Sequence, residues 1–331
     1  MAGSSSTSFR LRRRLLGAIA ATPVAALGAA GTAYAAGAAD LSGLTLVLGD
    51  QAGGLRALAE ASRVLEGTPY TYRWANFQGA APLFEAQRAN AVDIAPAGDL
   101  PVLAAATGDP SLRIVATRVG SARQLGILVP QHSTITEVAQ LKGRTVFVSS
   151  ARGSISEYQL DGALAEAGIS RADVQIRYIL PVDAFAAFTS GSIEAWATFD
   201  PYYGIAASRG GRVLRDGSGI NSGLGFITAS GAAHANPLKR AAIADLLLRL
   251  QRAGDWALAH PQDYAEVYSK LTRTPPDTAL TITQRASLRQ RFVTTADIAT
   301  LQKVADVAVR DGILPRPLDV ASLADTHIGV A

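Results

Sequence analysis

Residues 44–65, LTLVLGDQAGGLRALAEASRVL, decide the fold class. Leu44 to Leu48 is a short apolar run that is typical of a buried strand. Gly53-Gly54 predicts a turn, and Leu55 to Leu65 has the apolar spacing of a helix that stops at Gly67. A strand followed closely by a helix is the repeating unit from which α/β proteins build parallel sheets.

The same alternation of strand and helix recurs along the chain. Seven more apolar runs predict strands: Val92–Ala95, Leu112–Thr117, Leu125–Val129, Thr145–Val148, Val174–Ile179, Glu194–Phe199 and Leu224–Thr228. Helical patterns lie between most of them, and from Pro237 onward the pattern is almost wholly helical. We therefore expect an α/β protein with mainly parallel sheets flanked by helices.

A weak internal repeat divides the sequence into two similar parts. Phe84 and Phe185 are 101 positions apart, and so are Asp99 and Asp200. In both parts a helix that contains the Phe leads to an apolar strand, and the Asp begins the next helix. A chain of 331 residues is also long for one core. We expect two lobes with a ligand cleft between them, lined by the turns that follow the strands.

Charge and cysteine content exclude several functional classes. The formal net charge of +4 equals the number of arginines near the start of the chain, and no acidic residue precedes Asp40. These arginines are Arg10, Arg12, Arg13 and Arg14. The rest of the chain is neutral, so it lacks the basic surface that a nucleic-acid partner requires. The absence of cysteine excludes disulfides, thiol catalysis, iron–sulfur clusters and a lipid anchor on a mature N-terminal cysteine.

Residues 1–35 have the pattern of an export signal. A basic start is followed by the apolar stretch Leu15–Ala30, and Ala33-Tyr34-Ala35 offers the small residues of a cleavage site. Arg12-Arg13 fits the twin-arginine pathway as well as the general secretory pathway, and both alternatives stay open. We expect cleavage near Ala35 and a soluble periplasmic protein.

Two turns before predicted helices are candidate anion sites. Helix N-termini present unpaired N–H groups and a partial positive charge, so they bind anions. The second turn adds hydroxyls and a guanidinium that can bond to a sulfonate, phosphate or carboxylate. The structural alternative is a tight turn in which a serine is only the N-cap. The candidate ligand residues are Gln51 and Gly53 in the first turn, and Ser150, Arg152, Gly153 and Ser154 in the second.

Asp99 and Asp200 each follow a predicted strand and precede a proline. Asp200-Pro201 fits an N-cap followed by a proline at the first helical position, and Asp99 has a similar context. Each is a structural cap or a ligand contact, and both alternatives stay open for both residues. Phe199, beside Asp200, is the aromatic residue that we expect in the cleft. We expect packing roles for the tryptophans, Trp74, Trp196 and Trp256.

The sequence lacks the common motifs of enzymes and metal sites. The four histidines are widely scattered and lack the spacing of a metal site. The chain has no G-x-S-x-G elbow, no Walker A loop and no Rossmann G-x-G-x-x-G. We therefore expect no catalytic residues, no metal and no cofactor.

Seven short segments carry a resemblance to a known family. They are AGDLP at 97–101, GILVP at 126–130, LKGRTV at 141–146, GS at 153–154, GSIEAW at 191–196, FDPY at 199–202 and GILP at 312–315. In this order they resemble the alkanesulfonate, nitrate and taurine solute-binding proteins of ABC importers. The Gly-Asp-x-Pro turn is most similar to the aliphatic-sulfonate branch. The resemblance spans nearly the whole chain after the export signal.

That resemblance implies a two-lobed type II periplasmic binding-protein fold. Lobe 1 would comprise residues 40–124 and 226–331, and lobe 2 residues 125–225, with hinge crossovers near 123–129 and 221–228. It implies a monomer without a cofactor that captures a small organic anion, an aliphatic sulfonate. The protein would deliver this ligand to an ABC permease and its ATPase at the inner membrane.

Two departures from the family pattern keep the ligand open. Phe199 stands where the family often has Trp, and Arg152 stands where it often has Lys or Asn. One alternative function is an enzyme on the same fold, of the desulfinase or pyrimidine-precursor synthase type. Such relatives use an active-site cysteine, which this chain lacks. The other alternative is a periplasmic ligand sensor, which the sequence does not separate from a transport protein.

Overall fold

A computed structural model describes residues 40–286 and 288–329 of the chain. The predicted export signal, residues 1–35, lies outside this part. The strands of the described part are, in chain order, β1 Thr45–Gln51, β2 Thr71–Phe77, β3 Ile94–Gly98, β4 Arg113–Val119, β5 Leu125–Val129, β6 Thr145–Val148, β7 Gln175–Tyr178, β8 Trp196–Phe199, β9 Arg212–Asp216, β10 Leu224–Ala229 and β11 Arg289–Phe292.

Helices connect most of the strands and dominate the C-terminal third, as predicted. They are α1 Gly54–Ser62, α2 Ala80–Arg88, α3 Asp99–Gly108, α4 Ile155–Glu166, α5 Pro181–Thr189, α6 Tyr202–Ser208, α7 Gly231–Ala235, α8 Pro237–Ala259, α9 Pro261–Thr272, α10 Pro276–Ala286, α11 Thr295–Arg310 and α12 Val320–Leu323. Within the described residues, none of these helices combines the length and apolar character needed to span a membrane.

The strands form two separate sheets of mixed direction. The six-stranded sheet has the order β11-β4-β10-β3-β1-β2, and the five-stranded sheet has the order β7-β6-β8-β5-β9. The strand pairings give β1, β2, β3 and β4 one direction and reverse β10 and β11. In the second sheet β5 runs against the other four. Most strands of each sheet therefore run parallel, as the alternating pattern predicted.

Two crossovers connect the sheets and run side by side. The first passes from β4 to β5 through the short 3-10 turn Ala122–Gln124, and the second passes from β9 to β10. Backbone hydrogen bonds link them, from Gly120 N to Gly223 O at 2.9 Å and from Gly217 N to Leu125 O at 3.1 Å. The six-stranded sheet therefore takes strands from both ends of the described chain. The proposed lobe boundary at 124–125 lies at the end of the first connection, whereas the one at 225–226 lies within β10, just after the second connection.

Three strands were not predicted, and all three lie at the edge of a sheet. They are β2 and β11 in the six-stranded sheet and β9 in the five-stranded sheet. Their sequences, TYRWANF, RQRF and RVLRD, mix charged and apolar residues. Edge strands face solvent on one side, so they lack the continuous apolar run by which buried strands are detected.

Two clusters of buried apolar side chains pack against each sheet. Trp196 of β8 is fully buried and packs 5.5 Å from the ring centre of Phe188. Trp256 stacks on His260 at 4.9 Å, and Trp74 packs edge-on against Tyr72 at 6.4 Å. The tryptophans therefore have the packing roles that the sequence predicted.

Candidate functional site

A cleft lies between the two sheets, and its empty space, counted together with the open solvent at its mouth, is about 1250 Å³. The ends of β3, β4 and β10 contribute one wall, together with α9 and α10. The ends of β5 and β8 and the start of α4 contribute residues from the other sheet. The cleft thus lies where the strand ends of two α/β sheets meet, the position at which such folds bind ligands.

The predicted ligand residues fall into two groups in the structure. Gly53 and Asp99 adjoin the cleft without lining it, and Arg152 and Gly153 line a smaller neighbouring pocket. The predicted residues that do line the large cleft are Gln51, Ser150, Ser154, Phe199 and Asp200.

The turn before α1 is occupied by an acidic side chain of the protein itself. The buried Asp50 carboxylate accepts hydrogen bonds from Leu55 N at 2.7 Å and Arg56 N at 3.1 Å. Gln51 donates through Nε2 to the Pro96 carbonyl oxygen at 2.5 Å. An internal carboxylate therefore already interacts with the positive end of α1, where the sequence suggested an external anion.

The turn before α4 is also capped from within. Ser154 is the N-cap, and its Oγ accepts a hydrogen bond from Glu157 N at 3.3 Å. Gly153 N donates to Oε2 of Glu157 at 2.6 Å, so this buried carboxylate lies against the helix start. Arg171 and Tyr178 bind the other oxygen of Glu157. The structural alternative considered for this turn, an N-cap, is present.

Gly53 and Gly153 have backbone roles in these turns. Their φ angles are +81° and +78°, in the left-handed region that glycine adopts without strain. A Cβ atom on Gly53 would lie 2.8 Å from a methyl carbon of Thr272, and one on Gly153 would lie 2.9 Å from Cβ of Ala104. Both positions therefore require glycine for conformation and for close packing.

Arg152 is exposed and does not line the large cleft. Its Nη2 donates to the carbonyl oxygen of Gly312 at 2.5 Å. This bond joins the α4 turn to the segment after α11. The guanidinium predicted to help bind an anion is therefore engaged with the backbone of another part of the chain.

Asp99 and Asp200 are buried, and both carboxylates have partners. Asp99 accepts hydrogen bonds from Leu100 N at 2.7 Å and from Ser222 Oγ at 2.5 Å. It is the first residue of α3, whose N-cap is the preceding glycine. Burial raises the pKa of Asp99, and the two hydrogen bonds oppose that rise.

Asp200 lines the cleft and forms a bidentate ion pair with Arg285 of α10. The Nε and Nη2 atoms of Arg285 donate to the two carboxylate oxygens at 3.0 and 2.6 Å. Gly204 N also donates to the carboxylate, at 2.9 Å. Burial raises the pKa of Asp200 to about 6, although Arg285 and the hydrogen bonds oppose this. Asp200 therefore stabilises the start of α6 and joins it to α10.

Arg118 is a charged residue of the cleft that was not predicted. It lies on β4, with Gly225 of β10 and Gln290 of β11 directly opposite it on the neighbouring strands. Its Nε is shielded from solvent and has no hydrogen-bond partner, and no ion pair is formed with any residue of the described part. Burial lowers the pKa of its guanidinium, against the influence of Tyr264 and Asp50.

Three further polar side chains line the cleft without partners. Both amide atoms of Asn221 are buried and lack hydrogen bonds. Tyr264 and Tyr268 of α9 are 6% and 4% exposed, and across residues 40–286 and 288–329 neither hydroxyl has a hydrogen-bond partner. A signal was available for Arg118, because it directly follows the predicted strand that ends at Thr117. Asn221, Tyr264 and Tyr268 carry no comparable signal.

The remaining lining of the cleft is largely apolar. Phe199, predicted to lie here, packs edge-on against Tyr202 with ring centres 6.3 Å apart. Other apolar lining residues are Leu125, Ile155, Leu224, Ile282 and Leu288. No cluster of metal-ligating side chains occurs in the part of the chain that the structure describes. The cleft can therefore receive a molecule with one charged group and an apolar remainder.

Comparison with known proteins places the chain in a family. Residues 84–264 match the family model described as NMT1/THI5 like. A protein of Escherichia coli (strain K12), named as an aliphatic sulfonates-binding protein, is 31% identical over 298 residues, which cover 86% of this chain and 89% of that protein.

Solved structures agree in fold with this chain. The alkanesulfonate-binding protein SsuA from Xanthomonas axonopodis pv. citri, bound to MOPS, has a TM-score of 0.79 and 26% identity, covering 87% of this chain and 99% of its own. The periplasmic aliphatic sulphonate binding protein SsuA from Escherichia coli has a TM-score of 0.73 and 28% identity, covering 84% and 91%. These matches confirm the predicted two-lobed α/β fold and the predicted resemblance. The chain belongs to the NMT1/THI5-like family and is similar to its aliphatic sulfonate-binding proteins.

Proposed function

We propose that this protein is the substrate-binding component of an ABC importer and that its ligand is an aliphatic sulfonate. The observation that carries the proposal is a cleft between two sheets, largely apolar in its lining, in a chain whose similar relatives are named for sulfonate binding. An apolar lining suits the hydrocarbon part of such a ligand.

Capture would proceed by closure of the two lobes around the ligand. The paired connections near Ala122–Gln124 and before β10 are the places where a small change in backbone angles would rotate one sheet relative to the other. Residues 40–124 and 226–331 would form lobe 1, and residues 125–225 lobe 2. A permease and its ATPase in the inner membrane would receive the closed, monomeric protein.

Export to the periplasm is part of the same proposal. Residues 1–35 would be the signal peptide, removed near Ala35 after passage through the twin-arginine or general secretory pathway. The Escherichia coli structure similar to this chain is named as periplasmic. The intact mass of the exported protein measures the cleavage site directly.

The alternatives differ in what happens to the bound molecule. An enzyme on this fold would convert its ligand, whereas a binding protein returns it unchanged. The chain has no cysteine for thiol chemistry. A ligand sensor would bind its ligand in the same way but would pass a signal to a membrane kinase. The genes that lie beside the gene of this protein distinguish the two cases.

Calorimetry of the purified mature protein tests the proposal. The panel comprises butanesulfonate, MOPS, nitrate, sulfate and an alkanoate of matched length. We expect saturable one-to-one binding of a sulfonate, with the ligand recovered chemically unchanged by mass spectrometry. Binding of the alkanoate or nitrate without any sulfonate would reject the proposed ligand class, and conversion of the ligand would reject the assignment as a binding protein.

A further inference from the structure

The positive ends of both candidate helices interact with acidic side chains of the protein itself. Asp50 accepts from two amides of α1, and Glu157 accepts from the backbone beside α4. A second negative charge at either place would meet a carboxylate already there, and like charges at short distance repel. The anionic group of a ligand is therefore better placed elsewhere in the cleft.

Arg118 provides a positive charge that lacks a counter-charge. An arginine remains protonated in proteins, and placing its charge in a partly desolvated site is costly unless the charge is paired. Asp50 is the acid whose charge acts on it, but the two side chains form no ion pair within 4.0 Å. Arg118 and Gly225, which lies opposite it on β10, both line the cleft.

Hydrogen-bond donors line the same cleft as this charge. Tyr264 lies close enough to Arg118 for the two groups to influence each other's pKa, and it lines the cleft together with Tyr268 and Asn221. Buried polar groups are almost always hydrogen-bonded in folded proteins. Three buried side chains with free polar atoms, in the same cleft as an unpaired guanidinium, therefore match the needs of an oxyanion, which accepts several charge-assisted bonds.

We propose, on the footing of the function proposed above, that Arg118 binds the anionic group of the ligand, with donors from Tyr264, Tyr268 and Asn221. The apolar part of the ligand then extends toward Phe199. The anion thus binds on the wall of the six-stranded sheet, and the turn before α4 supports the fold without holding the charge.

Calorimetry with butanesulfonate and with MOPS tests this assignment. Arg118→Gln removes one charge of a close ion pair, so binding should weaken roughly a hundredfold or more. Arg118→Lys keeps the charge but lacks the planar guanidinium, so we expect a loss of binding affinity smaller than that of Arg118→Gln. Arg73→Gln is the matched control, because Arg73 is exposed on β2 and the charge change is the same.

Thermal unfolding without ligand gives a second readout. Arg118→Met removes an unpaired, partly desolvated charge, so this variant should melt at the same or a higher temperature than the wild type. If the arginine had a structural role, its removal would lower the melting temperature. Binding by Arg118→Gln within threefold of the wild type, or a lower melting temperature for Arg118→Met, overturns the assignment. If the wild type binds a matched alkanoate and no sulfonate, the proposed function fails, and the same variants tested with that alkanoate still decide the role of Arg118. A wild type that binds none of these anions overturns both.

Discussion

Several polar groups on the two walls of the cleft differ in whether they are paired. On the side of the six-stranded sheet, Arg118, Tyr264 and Tyr268 have no partners within the described residues. On the other side, Ser154 caps a helix and Asp200 is held by an arginine. A polar group that is already bonded contributes to the fold, whereas one left unpaired in a cleft is available to a ligand. Whether a polar group already has a hydrogen-bond partner therefore distinguishes a structural residue from a ligand-binding residue more clearly than its residue type does.

The largest effect is expected where a buried pair is broken. Arg285→Met leaves the Asp200 carboxylate without its bidentate partner, and breaking a buried ion pair costs about 3–5 kcal/mol. We expect a loss of this size in the free energy of unfolding, measured in urea at pH 8. The control is Arg285→Met with Asp200→Asn, which removes both charges and should recover most of the loss. A single variant as stable as the wild type would place Asp200 among the ligand groups.

The pH dependence of that variant sharpens the test. Burial raises the pKa of Asp200 from 3.8 to about 6, so the folded protein holds this proton more tightly than the unfolded chain. Stability from a group of this kind is present at low pH and is lost as the pH rises from 3.8 through about 6. Removal of Arg285 raises that pKa further. The deficit of Arg285→Met should therefore be smaller at pH 5 than at pH 8.

An effect of intermediate size is expected when a methyl group of the ligand is replaced by an ammonium group. Asp99 and Asp200 have a hydrogen-bond partner on each carboxylate oxygen, so neither is free to receive an amine. Propanesulfonate and taurine have the same number of heavy atoms, and taurine carries an ammonium group in place of a methyl group. We expect propanesulfonate to bind at least tenfold more tightly by calorimetry, which is about 1.4 kcal/mol. Tighter binding of taurine would contradict the pairing of these acids.

Much of the fold could be predicted because buried strands have a distinctive composition. The bounds of β5 and β6 agree with the predicted Leu125–Val129 and Thr145–Val148, since both runs are apolar and end at polar or turn residues. The edge strands β2, β9 and β11 were missed because solvent contact permits arginine and glutamine in them. Their pairing depends on neighbours distant in the chain, which local patterns do not contain.

The candidate site was predicted less completely, for a physical reason. Turns with Gly and Ser before helices are visible in sequence, and five predicted residues do line the cleft. Whether such a turn is free depends on tertiary partners, such as Asp50 beside α1 and Arg171 beside Glu157. Arg118 is distinguished by the partners that it lacks, and that property exists only after β4, β10 and α9 have come together.

The smallest effect is expected in the turn before α4, and it tests the comparison of the two walls most directly. Ser154→Ala removes an N-cap bond to Glu157 N, so we expect a loss of about 1 kcal/mol in the free energy of unfolding. Binding of butanesulfonate should weaken less than tenfold, because the hydroxyl is already bonded to the helix. Ser230→Ala is the matched control, since Ser230 caps α7 in the same way and does not line the cleft. A hundredfold loss of binding in Ser154→Ala, with Ser230→Ala unchanged, would move the anion to the α4 turn and reverse the roles of the two walls.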